Sequence, residues 1–154
     1  MPKNNAKPDP ATLAEAARVC ACFNFRKASR AVTQLFDSLL QPGGLRSTQF
    51  VMLVRIGAQG SPNLPELARG LNLDRSTLTR NLQPLARDGL VRISGGRDER
   101  VSTVRLTPKG ERKLAAMVPL WEAAQTRFVG RFGGERWAAM LEDLHRVVDV
   151  AHGP

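Results

Sequence analysis

Between Asp74 and Asp88, Ser76, Arg80, Gln83 and Arg87 recur at spacings of four, three and four residues, opposite Leu78, Leu82 and Leu85. At about 100° per residue a helix puts these two sets on opposite faces, with Thr79 on the flank of the polar one. That face offers two guanidiniums, an amide and hydroxyls, and no carboxylate. An Arg can bond guanine bidentately, a Gln can pair with adenine, and a hydroxyl can serve base or phosphate. Arg75, in the first turn at the edge of the face, suits a phosphate. Taken alone, the pattern also fits an ordinary solvated helix surface, so its neighbours must decide.

The second reactive group is the pair Cys20 and Cys22. In one intact helix their side chains point about 200° apart, a poor geometry for a bridge. Two cysteines, with His145 and His152 far along the chain, do not make a zinc site, and no metal or other cofactor is expected. Cys22 reads as a small core residue on the stripe Cys22, Phe25, Ser29, Val32, Phe36 and Leu39. No Ser-His-Asp order and no Gly-rich phosphate loop point to an enzyme.

The elements that must position the polar face read clearly. Asp74 is a good N-cap, because its carboxylate can accept first-turn N–H groups. Pro84 lacks an N–H for the Arg80 carbonyl and should kink or loosen the last turn. A short helix precedes, about 65–71, with Leu64, Leu67, Ala68 and Leu71 apolar and Gly70 and Asn72 as turn residues. After Gly89, Val91 and Ile93 alternate with Arg92, and Val104 and Leu106 with Thr103 and Arg105, which predicts two half-buried strands. Their link is Ser94-Gly95-Gly96 and the tip Arg97, Asp98, Glu99 and Arg100. A basic tip suits the narrow, electronegative minor groove. Helix, turn, helix and hairpin are the grammar of a winged helix-turn-helix.

Around this unit the chain predicts long helices. One should begin near residues 10–12 and run to about Leu40. Either Asp9 caps it with Pro10 at N1, or Thr12 and Glu15 form a capping box. Another spans about 47–59, with Phe50, Leu53, Val54 and Gly57 inward. Thr107-Pro108 opens a helix to about Phe132, kinked at Pro119, and a last helix covers about 135–151. The expected organisation is a disordered arm over 1–10, an N-terminal dimerisation helix over 11–46, the DNA-binding unit over 47–107 and C-terminal dimerisation helices over 108–154. The fold class is mainly α with a small β-hairpin wing. So much apolar helix surface outside the reading unit suggests a two-fold homodimer.

Charge agrees. The 154 residues carry a net charge of +9, and residues 41–110 hold 11 Lys/Arg against 5 Asp/Glu while 111–154 hold 6 against 6. The excess lies where a DNA reader would need it. The chain has no Tyr, so stacking platforms for single strands are poorly supplied. No run approaches the roughly 18 apolar residues of a membrane span, and the N-terminus lacks the apolar run of a signal peptide. A cytoplasmic protein with no membrane partner is expected.

The helix DRSTLTRNLQPL, the exit RDGLVRI and the wing DERVSTVRLTPKG resemble the MarR family of bacterial transcription regulators. The resemblance implies a homodimeric winged-helix repressor, bound to a pseudo-palindromic double-stranded operator and released by a small aromatic ligand. It implies that Arg80 reads bases in the major groove, that Arg100 enters the minor groove and that Asp98 holds the wing through a nearby basic group. It makes Phe36, Met117 and Trp121 candidates for an effector pocket, besides their reading as core. The run Cys22-Phe23-Asn24-Phe25-Arg26-Lys27-Ala28-Ser29-Arg30 resembles the family's organic-hydroperoxide sensors, which implies a peroxidatic Cys22. The tyrosines those sensors use to hold the thiolate are missing here, and Phe36 stands where one is expected.

Overall fold

The computed structural model describes residues 7–95 and 102–152. Of the arm expected over 1–10, residues 1–6 and their order lie outside that range. The elements are α1 (Pro10–Val19), α2 (Ala21–Leu40), a 3-10 turn (Gln41–Gly43), α3 (Ser47–Gln59), α4 (Leu64–Gly70), α5 (Arg75–Arg87), β1 (Val91–Ser94), β2 (Thr103–Leu106), α6 (Pro108–Phe132) and α7 (Gly134–His152). The chain divides into two units, residues 1–35 and 36–154.

In the first unit Asp9 is the N-cap of α1, accepting from the backbone of Ala11 and Thr12. Glu15 pairs instead with Arg18 at 2.8 Å. The single helix expected from Pro10 to Leu40 is two. Cys20 is extended (φ −60°, ψ 114°). The Asn24 side-chain amide donates to the carbonyls of Arg18 (3.1 Å) and Cys20 (3.0 Å). A side chain that satisfies end carbonyls locally lets the helix stop there. Both cysteines are exposed, as are Phe25 (43%) and Val32 (37%). Cys22 is therefore not a core residue of the single chain. The intact helix that would hold Cys20 and Cys22 apart is also missing.

The second unit has its core in Leu40, Leu53, Ile56, Leu67, Leu78, Leu82, Leu85, Val104 and Met117, all fully buried. On α3, Phe50, Met52, Leu53 and Ile56 face inward. Val54, expected inside, is exposed, because the inner stripe follows 52, 53 and 56 rather than 53, 54 and 57. Asp37, near the end of α2, accepts from the backbone and hydroxyl of Ser47 and ties down the start of α3 (2.7 and 2.6 Å).

The sheet is an antiparallel hairpin in the register Val91↔Leu106, Arg92↔Arg105, Ile93↔Val104 and Ser94↔Thr103. Val91 and Val104 are buried, but Ile93, expected half-buried, is 43% exposed although its cross-strand partner Val104 is fully buried, because β2 packs on α3 and is flanked by the segment before α4. A bridge Asn63↔Thr103 pairs the other edge of β2 with the segment before α4. The Val104 N–H donates to the Pro62 carbonyl and the Leu64 N–H to that of Ser102, both at 3.0 Å.

The start of α6 is locked to the end of α5. The Thr107 hydroxyl donates to the Gly89 carbonyl (2.6 Å) and accepts from the Gly110 N–H (3.0 Å). The Lys109 ammonium donates to the Asp88 carbonyl (2.7 Å). A Cβ on Gly110 would collide with the Leu90 carbonyl, so only glycine permits this approach. Helix α6 continues through Pro119 and α5 through Pro84.

Candidate nucleic-acid interface

Helix α5 is capped as its sequence requires. Asp74 accepts from the Thr77 N–H (2.8 Å), the Thr77 hydroxyl (2.7 Å) and the Ser76 hydroxyl (2.6 Å). These donors, the Ser76 hydroxyl foremost, hold the Asp74 carboxyl well below the usual carboxylate range. Leu78, Leu82 and Leu85 are buried, which fixes the rotation of the helix. Arg75, Ser76, Thr79, Arg80, Gln83 and Arg87 are consequently all exposed. Five of these six positions are therefore together on the outer face, with Arg75 at its leading edge. Two details refine the picture. The Ser76 hydroxyl is already engaged by the cap, and the Thr79 hydroxyl donates to the Arg75 carbonyl (2.9 Å). Among the described residues the Arg80 guanidinium donates to the Thr77 hydroxyl at 3.3 Å, which leaves most of its N–H groups for an external acceptor.

The turn into α5 is tight. Asn72 has φ 51°, the left-handed conformation that asparagine tolerates better than most residues. The wing-tip positions Arg97, Asp98 and Arg100 lie outside the described residues. At the base of the wing, Arg92 and Arg105 sit directly opposite one another, both exposed. Like charges so placed are unfavourable in isolation and are relieved by an anionic partner. Neither residue stood out in the sequence, because each looked like the polar half of a strand alternation. The pairing register is what reveals them.

The effector-pocket candidates Phe36, Met117 and Trp121 each pack against a neighbour. Met117 is fully buried, against the backbone of Gly43. Trp121 stacks on Phe50 with centroids 6.2 Å apart, and Phe36 meets the edge of Phe128 at 6.2 Å. Among the described residues no group of three or more His, Cys, Asp or Glu could hold a metal, and no helix is long and apolar enough to cross a membrane.

The model of the MarR family matches residues 45–100, from the start of α3 into the wing. The transcriptional regulator MosR of M. tuberculosis, solved in complex with DNA, is 38% identical with a TM-score of 0.77, over 86% of this chain and 96% of that one. The HTH-type transcriptional regulator SarZ of Staphylococcus saprophyticus is 33% identical over 91 residues, 58% of this chain and 62% of that protein. The regulator PcaV of Streptomyces coelicolor, solved with its natural ligand, shares the fold at 20% identity (TM-score 0.75), over 95% of this chain and 99% of that one. The exposed basic face of α5, the hairpin beside it and these likenesses place the chain in the MarR family of winged-helix, DNA-binding transcriptional regulators, which are not enzymes.

Proposed function

We propose that the chain is a cytoplasmic repressor that binds a pseudo-palindromic operator as a homodimer and releases it when a small aromatic effector binds. The observation that carries the reading is the outward face of α5, which has no Asp or Glu among its own residues and Arg80 at its centre, with the Asp88 carboxylate 3.7 Å from Arg87 just past its end. Arg80 and Gln83 read base edges in the major groove, while Arg75 and Arg87 meet phosphates. Arg97 and Arg100 enter the flanking minor groove, and Asp98 steadies the wing. Dimerisation is supported by the terminal helices. Neither α1 nor α7 buries a residue within the protomer, yet Leu13, Val19, Met140, Leu141, Val147 and Val148 are exposed on them. The organisation read from the sequence, a reading unit over 47–107 between dimerisation helices, follows from the same helices.

A dimer sets two recognition helices about 34 Å apart, one turn of DNA. An effector that alters their separation or tilt stops both from fitting. The coupling required is about 1–3 kcal/mol. Trp121, more than a third exposed, and the half-buried Phe36 offer aromatic surface to such a ligand, and Met117 is fully buried.

The test is a gel shift with DNA from upstream of the chain's own gene. Arg80→Ala should lose sequence-selective binding at unchanged helicity. Retained selectivity would show that α5 does not read bases.

A second reading, a thiol switch through Cys22, is favoured by the exposure of that residue at the start of α2. A hydroperoxide would transfer one oxygen to the thiolate, giving a sulfenic acid and an alcohol. If Cys22→Ser still releases DNA under organic hydroperoxide, the switch does not run through this residue.

A further inference from the structure

Beside the base-reading face lies a cleft of about 250 Å³ between the first turn of α3 and the middle of α5, lined by Arg46, Thr48, Gln49, Met52, Arg80, Asn81 and Pro84. Met52 is buried and forms an apolar floor with the half-buried Pro84, whereas the rim is polar. Arg46 and Arg80, 34 positions apart in sequence, are exposed at this one opening. Among the described residues neither guanidinium is paired with a carboxylate. The acids of the two helix starts are both engaged: Asp37 by Ser47, and Asp74 by Ser76 and Thr77. Two cations at one cleft repel each other unless an anion lies between them. Helix α3 begins at Ser47 beside the cleft, where the Asp37 carboxylate already takes the Ser47 N–H, so the attraction for an anion comes from the two guanidiniums. Thr48 and Asn81 add hydrogen-bonding side chains of the kind that hold phosphate oxygens.

We propose that this cleft clasps one phosphodiester of the DNA backbone, so that α3 fixes the register in which α5 reads bases. The proposal rests on the DNA-binding reading above. Arg80 belongs to both surfaces: the face carrying Thr79 and Gln83 addresses the groove floor, and the Arg46 side addresses the strand at the groove's edge. A strand backbone is the anion such an arrangement meets whenever α5 enters the major groove. Arg46 contacts no base in this reading, so its contribution is independent of sequence.

The experiment compares the full chain with Arg46→Gln and Arg46→Lys on two duplexes across a KCl series. One duplex is selected by the wild type from a random pool, and the other has mixed sequence. Arg46 starts α3 through its backbone N–H, bonded to Gln49 Oε1 at 3.0 Å, so both variants keep that cap, and circular dichroism checks it. Arg46→Gln should lower the slope of log affinity against log salt by about 0.9 per reading head. It should weaken binding to both duplexes by the same factor, with unaltered base preference. Arg46→Lys should restore the slope. An unchanged slope in Arg46→Gln, while Arg80→Ala still abolishes selection, overturns the clasp and leaves the DNA reading intact. Failure of the wild type to bind either duplex overturns both. Competition by millimolar inorganic phosphate in the wild type, with no change of slope in Arg46→Gln, assigns the cleft to a small anion and also overturns the clasp.

Discussion

Replacing Thr107 by Val removes one hydroxyl and keeps the side-chain shape. That hydroxyl accepts from the Gly110 N–H and donates to the Gly89 carbonyl, joining the start of α6 to the exit of α5. Loss of a Thr N-cap costs about 1 kcal/mol, within a range of roughly 0.5–2. The bond to Gly89 is exposed and water can replace it, so it adds only about 0.5 kcal/mol, the low end for a net hydrogen bond. The sum is about 1.5 kcal/mol. For a chain of this size that lowers the unfolding midpoint by about 3–6 °C. The assay is thermal unfolding by circular dichroism at matched protein concentration, because a dimer's midpoint depends on concentration. Thr107→Ser keeps the hydroxyl and should recover most of the loss. A drop below about 1 °C in Thr107→Val, or equal drops in Val and Ser, would refute the assignment of this stability to the hydroxyl.

Leu82 is buried at the centre of the α5 seam, so Leu82→Ala should cost about 2–5 kcal/mol, read from denaturant unfolding. Because the carboxyl of Asp74 is depressed on folding, its stabilising bonds are fully present above the ordinary carboxylate pKa of about 3.9 and fade as pH falls below it. Asp74→Ala should therefore show a flatter acid limb in stability-versus-pH measurements; an unaltered limb would mean that the cap does not depend on ionisation.

What the sequence disclosed, and what it withheld, follows from the range of the interactions concerned. Helix α5 was legible because its determinants are local: a capping Asp74, and leucines three and four residues apart. The caps at Asp9 and Thr107 were legible for the same reason, although only the structure chooses Asp9 over Thr12. The break at Cys20 was not legible, because it depends on the Asn24 amide reaching back to two carbonyls, which leaves no mark in the apolar period. The outward turn of Val54 depends on a rotation of α3 set by partners elsewhere in the chain. The solvent exposure of Ile93 reflects the packing of α3 on β2, which alternation along one strand does not encode. At the interface, the residues of one helix were found by spacing alone. The Arg46–Arg80 cleft and the Arg92–Arg105 pair needed long-range placement to appear.

The bridge between Asn63 and Thr103 has a consequence for solubility. A two-stranded ribbon ordinarily leaves two rows of open backbone groups, each a template on which another chain can add a strand. Here the Pro62–Leu64 segment occupies the outer row of β2, so among the described residues the open edge is that of β1. That strand is four residues long and carries Arg92. Brevity and charge on the remaining edge are what discourage neighbouring molecules from stacking into a continuous ribbon.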